Sequence, residues 1–111
     1  MGARPYLLSR IALMAAGWDQ RMPEIEIYTQ PRCAYCLAAR RLLTAKGLAF
    51  REIDAPHGSP ERAEAIHRSG GRTTVPQIFI DGEPVGGADE LAMLERSGEL
   101  DRRLGIAAGQ P

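Results

Sequence analysis

The sequence has only two cysteines in 111 residues, where a small secreted domain would carry several spaced pairs, so a reducing compartment and a cytoplasmic location are expected. It has no excess charge of either sign. Fourteen Lys and Arg balance fourteen Asp and Glu, which removes the global electrostatic case for a nucleic-acid or membrane partner. It also lacks an apolar run long enough to span a bilayer, and it shows no internal repeat or low-complexity tract. What is present, 44% hydrophobic and 25% charged residues, is the composition of an ordinary soluble domain. The length suits one hydrophobic core and is too short for two ordinary domains.

Residues 1–22 differ from the rest. Arg4, Arg10 and Arg21 stand against the single acid Asp19, around an apolar stretch from Ile11 to Gly17. No targeting template is met in full: the apolar run is short for a signal-peptide core, serine is sparse for a transit peptide, and Tyr6 breaks the myristoylation pattern. The segment is expected to be a disordered N-terminal extension, with Met22 as an alternative start.

From Pro23 the pattern becomes regular. Residues 24–29 alternate polar and apolar side chains, the period of a strand with one buried face. Gln30-Pro31-Arg32 breaks the alternation, and Leu37, Ala38, Leu42 and Ala45 then follow helical spacing over residues 34–46, closed by Gly47. A second strand is predicted over 48–54. A second helix follows, capped by Ser59, opened by Pro60 and ended by Ser69-Gly70-Gly71. Strands at 77–80 and 83–85 flank Asp81-Gly82, a strong hairpin signal, and Pro84 places the second of them at a sheet edge. Helices at 88–96 and 100–104 complete the order. Strand, helix, strand, helix, hairpin, helix implies an α/β fold with a central mixed sheet flanked by helices, its first two strands parallel. The domain is expected to end at 105, with a flexible tail over 106–111.

Cys33 and Cys36 lie between the first strand and the first helix, a placement that reads as a redox dithiol. Cys33 sits where a helix N-terminus and Arg32 favour a thiolate, so it is the candidate nucleophile. Cys36, one turn on and more enclosed, is the candidate resolving thiol. Tyr35 reads equally as a packing residue on the rim or as a flank for a bound thiol. His57 and His67 match no compact zinc pattern with the cysteines and read as surface residues.

Ile27-Tyr28-Thr29 before Cys33-Ala34-Tyr35-Cys36, then Thr74-Val75-Pro76-Gln77-Ile78-Phe79-Ile80, then Gly86-Gly87-Ala88-Asp89, resembles the glutaredoxins, the bacterial dithiol type in particular. The resemblance runs from residue 24 to about 104. It implies a thioredoxin-like fold with a four-stranded mixed sheet, and a glutathione-dependent thiol–disulfide oxidoreductase acting on glutathionylated and disulfide-containing proteins. Pro76, which sequence alone reads as an ordinary proline opening a strand, is implied to be cis and to face the cysteines. Thr74 and Val75 would then meet the peptide backbone of glutathione. Gly87, Ala88 and Asp89 would take its γ-glutamyl end, and Arg62 with Gln30 its glycine carboxylate.

The sequence departs from the family pattern at two positions. Gln30 stands where lysine is usual, so Arg32 is expected to supply the missing charge. Ala34 stands where dithiol members usually have proline, a change that the family links to a [2Fe-2S] cluster shared by two subunits through Cys33 and glutathione. The alternative function is therefore a cluster-binding module that dimerises only when loaded, the protein otherwise being a monomer. Electrons supplied directly by thioredoxin reductase are a competing redox reading, against which the Asp89 loop argues.

Overall fold

The computed structural model describes residues 23–106. The N-terminal extension and residues 107–111 of the tail lie outside them. β1 (Ile25–Thr29) is the strand that the alternating run predicts, with one difference: all five of its residues are buried. The cause is its place in the sheet. In the order β2-β1-β3-β4 it is an inner strand, parallel to β2 (Arg51–Asp54) and antiparallel to β3 (Gln77–Ile80), and helices cover both of its faces.

On one face Ile25 and Ile27 join Ile78 and Ile80 against Ala39 and Leu43 of α1 (Ala34–Ala45), Leu91 of α3 (Ala88–Ser97), and Leu100 and Leu104 of α4 (Glu99–Leu104). On the other, Tyr28 and Phe79 pack edge to face at 5.6 Å with Ala65 of α2 (Pro60–Arg68). Burying both faces of a four-stranded sheet is how a short chain makes a sufficient core.

Local signals explain most boundaries. Ser59 caps α2 by accepting the Arg62 amide at 3.0 Å, with Pro60 at the first helical position. Asp81 and Gly82, both at positive φ, form the two-residue turn into β4 (Glu83–Gly86). β4 is the edge strand that Pro84 requires. β2 starts later than the predicted 48, because Leu48 turns into the core instead of joining the ladder. Lys46 caps α1 instead of extending it, and its ammonium pairs with Asp101 and Glu95, which hold its pKa above the ordinary value. Ile106, assigned to the tail by sequence, packs against the core and donates its amide to Asp101 O at 2.8 Å.

Glu26 is the polar residue that the alternation would send to solvent. It is buried under α2, where its carboxylate accepts from Arg68 at 2.8 Å and from Arg51 at 2.6 Å. Arg68 also donates to the Tyr28 hydroxyl and lies over the Phe79 ring at 4.2 Å, which makes it a planar cation between two aromatic rings. The hydrogen bond from Arg68 holds the Glu26 carboxyl below its ordinary range.

Because its folded pKa is depressed, the stabilisation from Glu26 is fully present above about pH 4.5 and is lost as pH falls through the lower folded value. Glu26→Gln is expected to cost about 1–3 kcal/mol at neutral pH. Urea unfolding of both proteins at about pH 7 and about pH 3 checks this, the gap between them closing in acid.

Candidate active site

The β1–α1 loop turns sharply. Pro31 is followed by Arg32 at φ 57, a left-handed conformation that costs a non-glycine residue about 1 kcal/mol. The turn delivers Cys33 to the cap position of α1 in extended backbone, where its Sγ accepts the Cys36 amide at 3.1 Å. A sulfur thus occupies the place usually held by a Ser or Asp oxygen. Cys33 and Cys36 are joined as a disulfide, their Cα atoms 5.2 Å apart.

The two sulfurs are unequal. Cys33 is half-buried at the surface, whereas Cys36 is 0% exposed. Cys33 Sγ lies 3.9 Å from the carbonyl oxygen of Val75. The Val75–Pro76 bond is cis, and Val75 lies outside the ladder because β3 begins only at Gln77.

Two clefts flank the disulfide. One, of about 350 Å³, is lined by Tyr35, Thr74, Val75, Pro76, Gly87, Ala88 and Asp89, together with Arg72 and Glu90. Tyr35 is 65% exposed on its rim and therefore belongs to the cleft wall, not to the core. The other, of about 550 Å³, is lined by Gln30, Arg32 and Cys33 with Thr29, Pro31, Arg40, Glu52 and Asp54. Here Glu52 accepts from both Thr29 Oγ1 and Arg40. The residues proposed from sequence thus divide between the two clefts, except Cys36 and Arg62, which are buried and line neither.

Arg62 is 5% exposed and stands beneath the loops. It donates twice to Thr73 O, and its Nη1 serves both Ala55 O and Gln30 Oε1 at 2.8 Å. Four of its N–H donations are therefore committed inside the protein. A guanidinium offers only donors, so the Gln30 oxygen must face it and the Gln30 NH₂ group is left for other acceptors. Arg62 thus contacts Gln30, which lines the cleft beside Cys33, from beneath.

Sequence reasoning passed over Arg72 and Glu90. Glu90 accepts the Gly87 amide at 2.8 Å, the reach-back of a helix cap, and pairs with Arg72. The Gly87 amide, with Arg72 adding to it, holds the Glu90 carboxyl below its ordinary range. The spacing of a glutamate three residues after Gly87 was the available signal. Gly86 has φ 116, and a Cβ there would meet the Glu90 side chain at 3.0 Å, so both backbone and space demand glycine. His57 and His67 are exposed, as expected. Among the described residues no group of three or more His, Cys, Asp or Glu is placed to hold a metal ion.

A family model described as glutaredoxin matches residues 25–85. Glutaredoxin 3 of Escherichia coli K12 is 49% identical over 83 residues, which cover 75% of this chain and 99% of that protein. The solution structure of glutaredoxin from Brucella melitensis is 52% identical with a TM-score of 0.64, over 75% of this chain and 89% of that one. The holo form of glutaredoxin C1 from Populus tremula x tremuloides is 28% identical with a TM-score of 0.66, over 73% and 82%.

Replacing Arg62 tests its place beneath the clefts. Arg62→Ala is expected to lower stability by about 2–4 kcal/mol, since buried carbonyls lose a charged donor. Arg62→Lys should recover only part of this, because an ammonium cannot reach all of these oxygens at once. Urea unfolding of the three proteins measures the order.

Proposed function

The chain belongs to the glutaredoxin family, and from that premise we propose that it is a glutathione-dependent thiol–disulfide oxidoreductase of the cytoplasm. The observation that carries the reading is the position of Cys33. Its sulfur takes a backbone amide at a helix N-terminus and faces the Val75 carbonyl beside an open cleft. Such a cap favours the charged sulfur, which is the attacking species.

In the proposed reaction the Cys33 thiolate attacks the glutathionyl sulfur of a mixed disulfide. A Cys33–glutathione bond forms, and the substrate's thiolate leaves and takes up a proton. The thiolate of a second glutathione then attacks the bound glutathionyl sulfur, which releases glutathione disulfide and restores Cys33 as thiolate. With a protein disulfide, Cys36 attacks the Cys33 sulfur of the adduct instead and expels the reduced protein thiol. That leaves the Cys33–Cys36 disulfide, the state of the present structure, for two glutathiones to reduce.

The cleft beside Pro76 suits the co-substrate. Val75, outside the ladder, offers backbone groups to an extended peptide. Ala88 and Asp89 open α3, where amide groups favour a carboxylate, and the Asp89 side chain suits an ammonium. Gln30, oriented by Arg62, can donate its NH₂ to the glycine carboxylate in the neighbouring cleft.

A second reading rests on Ala34, which is exposed at the first position of α1 beside Cys33. One chain does not supply a ligand set for a [2Fe-2S] cluster: Cys36 is fully buried, and no other thiol exists. Cys33 from two copies, with the thiols of two glutathiones, would complete it.

Cys33→Ser is expected to reduce activity on a glutathionylated small thiol to background, while Cys36→Ser retains that activity and loses reduction of protein disulfides. Coupled assays with glutathione reductase measure both, and full activity of Cys33→Ser refutes the assignment. For the second reading, anaerobic reconstitution with glutathione should give a brown dimer by absorbance and gel filtration. A colourless monomer removes it.

A further inference from the structure

A third cleft, of about 410 Å³, lies between α1 and the start of β2, lined by Leu37, Arg40, Arg41, Thr44, Ala45 and Phe50. The chemistry at Cys33 does not use it. Leu37 is 40% exposed there, and Phe50 is half-buried against the core. Arg40 also lines the cleft of about 550 Å³ that holds Cys33, so the two adjoin as one groove. Where they meet, Arg40 donates to Glu52 at 3.0 Å and ties α1 to β2. β2 is an outer strand, so its far edge carries backbone groups without ladder partners. The charged groups lining the groove are Arg32, Arg40, Arg41, Glu52 and Asp54. Arg40 is paired with Glu52, and Arg32 and Asp54, of opposite sign, both line the Cys33 end. That leaves Arg41, exposed and without an acidic partner among the described residues, at the apolar end. Lys46, just beyond, is held by Glu95 and Asp101.

Glutathione is assigned the cleft beside Pro76 and the Gln30 side of the larger one, so the protein half of a mixed disulfide must leave Cys33 in another direction. We propose that the groove between α1 and β2 docks that half: an extended segment whose cysteine reacts at Cys33 and which places a large apolar side chain, with an acidic neighbour, in the cleft of Leu37 and Phe50. The proposal rests on the reading of Cys33 as the thiolate that attacks glutathione mixed disulfides. Each part of the occupant answers one feature of the groove. Continuity with Cys33 asks for a cysteine, the open edge of β2 for an extended backbone, the apolar walls for an apolar side chain, and Arg41 for an acid. The helix sets the spacing. Leu37 to Thr44 lie about 6 to 16 Å beyond Cys33 along α1, at about 1.5 Å per residue. An extended chain covers about 3.3 Å per residue, which places the apolar side chain about three or four residues from the cysteine.

The test uses three peptides, each with one glutathionylated cysteine and otherwise serine and glycine. One carries Leu-Leu-Glu at the third to fifth positions after the cysteine, one carries it at the third to fifth before, and one carries neither. Steady-state kcat/KM is measured, with glutathione and glutathione reductase in excess, for the wild-type protein, Leu37→Gln and Arg41→Glu, both substitutions lying at exposed positions outside the glutathione clefts. The wild type is expected to prefer one of the Leu-Leu-Glu peptides over the plain one about tenfold, chiefly through KM. Leu37→Gln should lose most of that preference, and Arg41→Glu about two- to fivefold of it. Exchanging the peptide's Glu for Lys should restore what Arg41→Glu loses, which a merely structural effect would not do. All three proteins should turn over the plain peptide alike. A wild type with one rate for all three peptides overturns the proposal, as does a preference that survives both substitutions or a loss shared equally by the plain peptide. A wild type inactive on every peptide instead refutes the glutathione reading, and this inference with it.

Discussion

The loops around the disulfide depend on a single buried guanidinium. Arg62 donates to Ala55 O after β2, to Thr73 O before β3, and to the Gln30 side chain after β1. These irregular segments carry polar groups that secondary structure does not satisfy, and each buried carbonyl left without a donor costs about 1–3 kcal/mol. Burying a cation is itself costly. Here the two costs offset each other: carbonyl and amide oxygens solvate the charge, and the charge satisfies the oxygens. Only a planar fork with five donors reaches so many acceptors from one point.

This arrangement sets the geometry of the chemistry. Gln30 begins the turn that ends at Cys33, and Thr73 begins the segment that ends at Pro76, so the same guanidinium anchors both sides of the contact between Cys33 and Val75. The asymmetry of the sulfurs follows from the helix. Cys33, as cap, lies at the surface, whereas Cys36 lies one turn inside and is fully buried. A capping sulfur stabilised by an amide is the one suited to carry charge, and a buried neighbour is suited to act second.

Much of this was legible from sequence, where the signal was local. Asp81-Gly82, Ser59-Pro60 and Pro84 each act through backbone conformation or a missing donor, so their consequences need no knowledge of distant residues. The two cysteines and the Thr74-Val75-Pro76 segment were legible through their order along the chain. What escaped was tertiary. The alternation in β1 implies one wet face, but α2 covers it, and Arg68 makes Glu26 a buried residue from 42 positions away. The sequence singles out Arg62 by its register, but the oxygens its guanidinium meets, on Ala55, Thr73 and Gln30, are brought together only by the fold. Glu90 was masked by the adjacent Asp89, whose exposed charge reads more plainly as function.

The register of the central strands explains how motifs so far apart in sequence form one site. β3 runs antiparallel to β1 with Tyr28 opposite Gln77, so the chain leaving β1 toward Cys33 passes beside the chain entering β3 from Pro76. Gly86 pairs with Ile78, which brings the end of β4 and the start of α3 to the same edge. A slip of one residue would exchange the faces that Ile78 and Phe79 occupy and carry Val75 away from the sulfur. The register is held from the far end. Asp81 donates its amide to Glu24 O at 2.7 Å and accepts the Glu24 amide on Oδ1 at 2.9 Å, so the hairpin turn grips the start of β1. The turn with the strongest local signal in the sequence therefore helps align Cys33 and Val75 at the opposite end of the sheet.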